Sequence, residues 1–159
     1  MSSLGVAARP GGTLGPVAHI GLVVPHLEAA LPWLEATGVR WSSITEPVAS
    51  LRYEDGTTER TRVRYVTSAG GEPRVKLIEG TARSYFRPDD APTAVHHLSY
   101  WVGSLSAATE SLVSQGYRIE VTGLSETGEP AFRYLVAPGL VRVELGLLSD
   151  RARFDAWAG

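Results

Sequence analysis

No cysteine occurs among the 159 residues. Disulfides, thiolate catalysis and cysteine-ligated zinc are therefore excluded together. A run of about 18 or more apolar residues is also missing, so no transmembrane helix is expected. The N-terminus carries Arg9 but no continuous apolar segment with a cleavage site, which makes it a poor signal peptide and makes a cytoplasmic location the default expectation. Excess charge of either sign is lacking too. A formal net charge of −2 gives no reason to expect nucleic acid or another polyanion as partner. What is present is ordinary for one globular domain: 43% hydrophobic and 20% charged residues.

The informative feature is an internal repeat. Val-Ala-His-Ile-Gly-Leu-Val-Val, with His19, is echoed by Val-His-His-Leu-Ser-Tyr-Trp-Val, with His97, at an offset of 78 (97 minus 19). The same offset pairs Ile20 with Leu98, Val24 with Val102, Leu27 with Leu105, Ala30 with Ala108, Leu34 with Leu112 and Gly38 with Gly116. Self-similarity on this scale means two copies of one structural unit. Each copy brings a histidine to the head of its first strand.

Residues 1–15, rich in glycine and poor in large apolar side chains, read as a flexible tail. The first module, residues 16–80, reads as βαβββ. Its strand 17–24 is ended by Pro25, its helix spans 27–37 with Pro32 starting or kinking it, and strands follow at 48–54, 60–67 and 73–79. Asp55-Gly56 and Gly70-Gly71 supply turns. Residues 81–93, with Pro88 and Pro92, read as a linker. The second module, 94–148, repeats the order with strands at 95–102, 117–122, 131–136 and 140–147 and a helix at 105–115. The tail 149–159 can form a short amphipathic helix with Phe154 and Trp157 on one side. The fold class is thus α+β: two βαβββ modules forming a cupped mixed sheet in one compact domain, with the helices outside.

Strand alternation then sorts the side chains. Val141, Val143 and Leu145 share the face toward the helix, which leaves Glu144 on the opposite one. Ile20, Leu22 and Val24 pack on the first helix and leave His19, Gly21 and Val23 opposite; Leu98, Tyr100 and Val102 leave His97, Ser99 and Trp101. In the strand 73–79, Val75 and Leu77 point inward and Lys76 points away. One face of the composite sheet collects His19, Lys76, His97, Trp101 and Glu144. By the same alternation His96 falls off that face, as a packed or exposed neighbour, and Glu79 has the wrong parity to stand in for Lys76.

Paired βαβββ modules headed by histidine resemble the vicinal oxygen chelate superfamily, which includes glyoxalase I, methylmalonyl-CoA epimerase, extradiol dioxygenases and bleomycin-resistance proteins. The resemblance is carried by His19-Ile-Gly-Leu-Val-Val-Pro-His-Leu-Glu-Ala-Ala, Val75-Lys-Leu-Ile-Glu, His96-His97-Leu-Ser-Tyr-Trp-Val and Val143-Glu144-Leu, over about residues 17–148. It implies a divalent ion in the cup, held from the first and last strands of each module. Carried over by position, those places are His19, Lys76, His97 and Glu144. Two imidazoles and a carboxylate suit Zn, Fe, Mn, Co or Ni and leave coordination positions for two substrate oxygens. Ser99 and Trp101 are the candidate substrate contacts, Trp101 as an aromatic wall. The resemblance further implies a small-molecule partner and a homodimer.

Lys76 departs from the family pattern, where Glu or Gln is usual. An ammonium cannot coordinate, and at about 5 Å from a dication its repulsion is roughly 6–7 kcal/mol at an effective dielectric of 20. Three outcomes stay open: the stem carries the amine away, burial deprotonates it to leave a general base, or it pairs with Glu144 in a metal-free cup. Three functions follow. One is a glyoxalase-like, metal-dependent isomerase, epimerase or lyase acting on a small carbonyl or carboxylate substrate, with Lys76 as the catalytic candidate. Another is a metal-free binding or resistance protein, and the last an Fe(II) extradiol-type dioxygenase. Arg60, Arg62 and Arg64 alternate along one strand and read as a solvated face that could also rim the cup. His26 reads as a surface or capping residue, and Trp33, Trp41 and Trp157 as core or interface.

Overall fold

The computed structural model describes residues 14–87 and 94–159. Residues 1–13 of the expected tail and 88–93 of the expected linker lie outside the described residues.

The first module runs β1 (Val17–Val24), α1 (Leu27–Glu35), β2 (Val48–Tyr53), β3 (Thr58–Arg62), β4 (Arg64–Thr67) and β5 (Arg74–Glu79). The second runs β6 (Ala94–Val102), α2 (Leu105–Ser114), β7 (Arg118–Leu124), β8 (Pro130–Val136) and β9 (Arg142–Leu147), and a 3₁₀ turn leads into α3 (Arg151–Ala158). Where alternation predicts one strand over 60–67, the chain bends at Val63, between β3 and β4, and the Val63 N–H extends the β2–β3 register by donating to the Pro47 carbonyl at 3.0 Å. That bend shapes the whole sheet. The nine strands are ordered β3-β2-β7-β8-β9-β6-β1-β5-β4, and the two ends of the order are the two halves of the bent segment. The sheet therefore curls until its ends meet around Val63, which makes a nearly closed cup.

Within each module the first and last strands run parallel, β1 beside β5 and β6 beside β9. The modules join through two antiparallel seams, β1 with β6 and β2 with β7. The helices cover the outside. Leu27 of α1 is buried with Val24, Val66 and Leu77, and Leu105, Ala108 and Leu112 of α2 are buried with Leu135, Val143 and Leu145. A third cluster of Val23, Leu51, Ile78, Phe86, Val121 and Tyr134 fills one end of the cup interior. The described part of the 81–93 segment thus contributes to the core: Phe86 is buried and Tyr85 packs beside it.

Local signals account for the helix boundaries. The N–H of Leu27 donates to Glu79 Oε2 at 2.9 Å, which satisfies a helix-start donor that the His26 side chain leaves alone. Helix α1 accommodates Pro32 and ends soon after it. Gly38 and its repeat partner Gly116 follow the two helices with φ of 84° and 98°, the left-handed exit that favours glycine. Ser104 caps α2, its hydroxyl accepting from the Ala107 N–H. Of the core or interface roles expected for Trp33, the core one is corrected: it is 82% exposed on α1. Among the described residues no helix is long and apolar enough to cross a membrane.

Candidate metal centre

The site is built from three adjacent strands. Their register places Gly21 beside His97, His19 beside Ser99, and Ser99 beside Glu144. His19 Nε2 and His97 Nε2 lie 3.0 Å apart. Glu144 Oε2 is 3.0 Å from His97 Nε2 and 3.7 Å from His19 Nε2. Donors bound at about 2.1 Å to one ion stand roughly 3.0–3.4 Å apart for ligand angles near 90–110°. The donor set therefore fits a single divalent cation with a small closure between His19 and Glu144. Consistent with that fit, the buried Glu144 Oε2 accepts no hydrogen bond of good geometry among the described residues.

Protonation states at neutral pH also suit a cation. Burial pushes the His19 imidazole down to about 4, against an opposing pull from Glu144. Burial works to raise Glu144, but the His97 and His19 rings facing it hold its carboxyl well below the ordinary carboxylate range. His19 is thus a neutral imidazole and Glu144 a carboxylate, the forms in which each coordinates.

The His97 ring lies directly on the backbone of Gly21, where a β-carbon would clash with the ring atoms. Glycine at this position is a requirement of close approach. Ser99 Oγ donates to Glu144 Oε1 at 3.3 Å and orients the carboxylate. Trp101 lies on the cup wall: its ring covers Gly146, and its indole N–H donates to Glu72 Oε1 at 3.1 Å. A cavity of about 860 Å³ opens beside the site and is lined by Tyr65, Trp101, Phe132, Glu144, Gly146 and Arg153, among others.

Lys76 takes none of its expected partners in the cup. Its Nζ lies 4.2 Å from the centre of the Tyr65 ring, a cation–π contact, and no ion pair joins it to Glu144 among the described residues. The pairing outcome is therefore corrected: the stem swings the amine onto an aromatic wall. Glu79 is engaged elsewhere, capping α1 and receiving Arg64. Arg64 also binds Glu28 and Glu46, and Arg62 reaches Glu46. These arginines belong to a surface ion-pair network, and the cavity beside Glu144 is not lined by them.

Three further residues join the site. Alternation fails at His96 because β6 has one extra residue there: His97 pairs with Gly21, but Val95, not His96, pairs with Leu22. Such a bulge puts neighbouring side chains on one side. His96 is buried on the cup side, its Nδ1 2.9 Å from His97 Nδ1, with its ring among Tyr85, Phe86 and Tyr134. Tyr134 lies directly across from Glu144 in the antiparallel ladder and is buried against it. Burial and the Glu144 charge push its phenol well above the ordinary range. Period-two reading of β8 contained this signal. Phe154 is the third. Helix α3 forms as its amphipathic pattern predicts, and Phe154 stacks on His19 at 5.8 Å between ring centres and meets Trp101 edge-on at 5.6 Å. Trp157 packs on Tyr65, and Arg74 holds Asp155 at 3.4 Å. The C-terminal helix is thereby tied over the His19 side of the cup.

Comparison with known proteins places this geometry in context. A profile of the Glyoxalase/Bleomycin resistance protein/Dioxygenase superfamily matches residues 18–133. Methylmalonyl-CoA epimerase from Mycobacterium tuberculosis shares the fold with a TM-score of 0.63 at 18% identity, covering 93% of this chain and 97% of that one. A variant of Streptomyces coelicolor methylmalonyl-CoA epimerase in complex with 2-nitronate-propionyl-CoA aligns with a TM-score of 0.58 at 17% identity, over 83% of this chain and 96% of that one. A 4-hydroxymandelate synthase mutant, also from Streptomyces coelicolor, aligns with a TM-score of 0.58 at 15% identity, over 85% of this chain and 39% of that one. No curated protein sequence matches the chain.

Proposed function

The chain belongs to the glyoxalase/bleomycin resistance protein/dioxygenase superfamily, and from that premise we propose that it is a glyoxalase-like, metal-dependent isomerase, epimerase or lyase. Its substrate is a small carbonyl- or carboxylate-bearing molecule held through two oxygens in the cup. The carrying observation is the convergence of His19, His97 and Glu144, whose ligand atoms all lie within 4.8 Å of one another. A divalent ion there supplies Lewis-acid stabilisation of negative charge developing on a substrate oxygen. His19, His97 and Glu144 hold that ion, and Ser99 keeps the Glu144 carboxylate oriented. Trp101 walls the cavity and limits the shape of what enters. Lys76 is the candidate that gives or receives the proton beside the substrate carbonyl. A cytoplasmic homodimer belongs to the same reading.

The purified protein is expected to carry about one divalent ion per chain. Pyruvate, as a probe with two neighbouring oxygens, should change the visible spectrum of the Co²⁺-loaded protein. A spectrum indifferent to pyruvate counts against chelation through two oxygens. Absence of metal overturns the proposal and leaves a metal-free binding protein, a reading favoured by Lys76 at the fourth position and by Phe154 stacked on His19.

Lys76→Glu should tighten metal binding at least about tenfold, because it removes a repulsive charge worth several kcal/mol at an effective dielectric near 20 and adds a carboxylate. The check is competitive titration of both proteins with Zn²⁺. Unchanged affinity would show that the amine on Tyr65 already lies beyond the reach of the ion.

A further inference from the structure

His96 lies beneath His97, behind the metal-facing edge of that ring. The contact joins like atoms, Nδ1 to Nδ1 at 2.9 Å, so one nitrogen must be the donor and the other bare. His96 Nε2 has no hydrogen-bond partner of good geometry among the described residues. A leucine or phenylalanine would fill this apolar nest of Tyr85, Phe86 and Tyr134 without leaving a polar atom exposed to it. The bulge that turns His96 inward therefore calls for a polar role.

We propose that His96 is a positioning residue that sets the tautomer of His97. The inference rests on the metal reading of the site. A cation taken at His97 Nε2 requires that nitrogen to be bare, so the single N–H of the neutral ring sits at Nδ1. The acceptor in line is His96 Nδ1, which must then be bare, with the proton of His96 on Nε2. Without a cation the assignment reverses. His97 Nε2–H donates to His19 Nε2, 3.0 Å away, and His96 Nδ1–H donates to His97 Nδ1. Each ring carries one N–H in both states, so no net proton is gained or lost by the pair. Histidine suits the position because one atom, Nδ1, can donate in one state and accept in the other. In this chain it does the work that a carboxylate or carbonyl more often does behind a metal-binding histidine.

The test uses the full-length chain labelled with ¹⁵N-histidine, its ring nitrogens assigned from two-bond ¹H–¹⁵N spectra before and after addition of Zn²⁺. The metal-free protein should show His97 protonated at Nε2 and His96 at Nδ1; Zn²⁺ should move the protons to His97 Nδ1 and His96 Nε2. His96→Phe should weaken Zn²⁺ binding roughly 10–100-fold. His96→Gln, whose amide either donates or accepts, should restore it to within a few-fold. Wild-type Zn²⁺ affinity in His96→Phe, or Nδ1 resonances without a hydrogen bond between the rings, overturns the inference. If the Phe variant fails to fold, the Gln variant and the wild-type spectra still decide it. Absence of Zn²⁺ uptake by the wild type overturns the metal reading, and the metal-free spectrum separately decides whether the two rings are bonded.

Discussion

Glu144→Ala is expected to lower divalent-metal affinity by about two to three orders of magnitude. Apparent binding free energies of about 10–16 kcal/mol for four-ligand zinc sites correspond to roughly 2.5–4 kcal/mol for each ligand. Glu144 is also the sole anion in the donor set, so its removal deletes the charge that balances the cation. Glu144→Gln separates this effect from packing. Its amide keeps the shape and an acceptor for Ser99 Oγ, yet carries no charge. Both variants should therefore lose metal, while only the alanine variant opens a void. Isothermal titration with Zn²⁺ and Mn²⁺, together with urea midpoints of the metal-free proteins, checks the pair. Retention of stoichiometric metal by Glu144→Gln would show that the ion sits elsewhere.

Acid should destabilise the metal-free protein well before ordinary carboxylates titrate. Burial pushes His19 down to about 4 and His96 down to about 3 from an ordinary 6.5. Between pH 6.5 and 4 the unfolded chain takes up a proton at each histidine while the folded chain does not. Stability thus falls as pH falls, and none of this loss operates above pH 6.5. Each histidine accounts for a loss on the order of 3 kcal/mol by pH 4. Together they rival the whole stability of a typical domain, about 5–15 kcal/mol. Urea unfolding at half-unit pH steps should show an even plateau from pH 8 to 7 and a steep decline below 6.5. His96→Gln should remove about half of that slope, since it deletes one of the two protons. A flat profile between pH 6.5 and 4.5 would mean that these rings are solvated.

The repeat and the strand alternation carried much of the architecture, because both follow from periodicity within one chain segment. His19, His97 and Glu144 were legible on one face for that reason, and the glycine on which the His97 ring lands was visible as Gly21. Alternation broke where the backbone did. At His96 one extra residue in β6 turned a side chain expected on the wrong face into the cup. At Val63 the strand expected over 60–67 bent and closed the sheet. Tyr134 had the correct parity all along, but its value came only from the strand beside it. Phe154 belonged to a segment whose pattern revealed a helix and nothing about where the helix would dock.

By itself the sequence determined the duplicated βαβββ plan, the absence of thiol chemistry and the residue types available to a metal. Those depend on composition and on spacing along a strand or helix. Only the tertiary structure decided which side chains meet. Lys76 had three open outcomes in sequence, and its amine settled on the Tyr65 ring because β4 lies beside β5 and presents that ring to it. The two adjacent histidines looked like opposite faces of one strand until the register across β1 and β6 put both rings in the cup. Side-chain meetings of this kind are set by pairing between strands, and pairing is a long-range property that no local period contains.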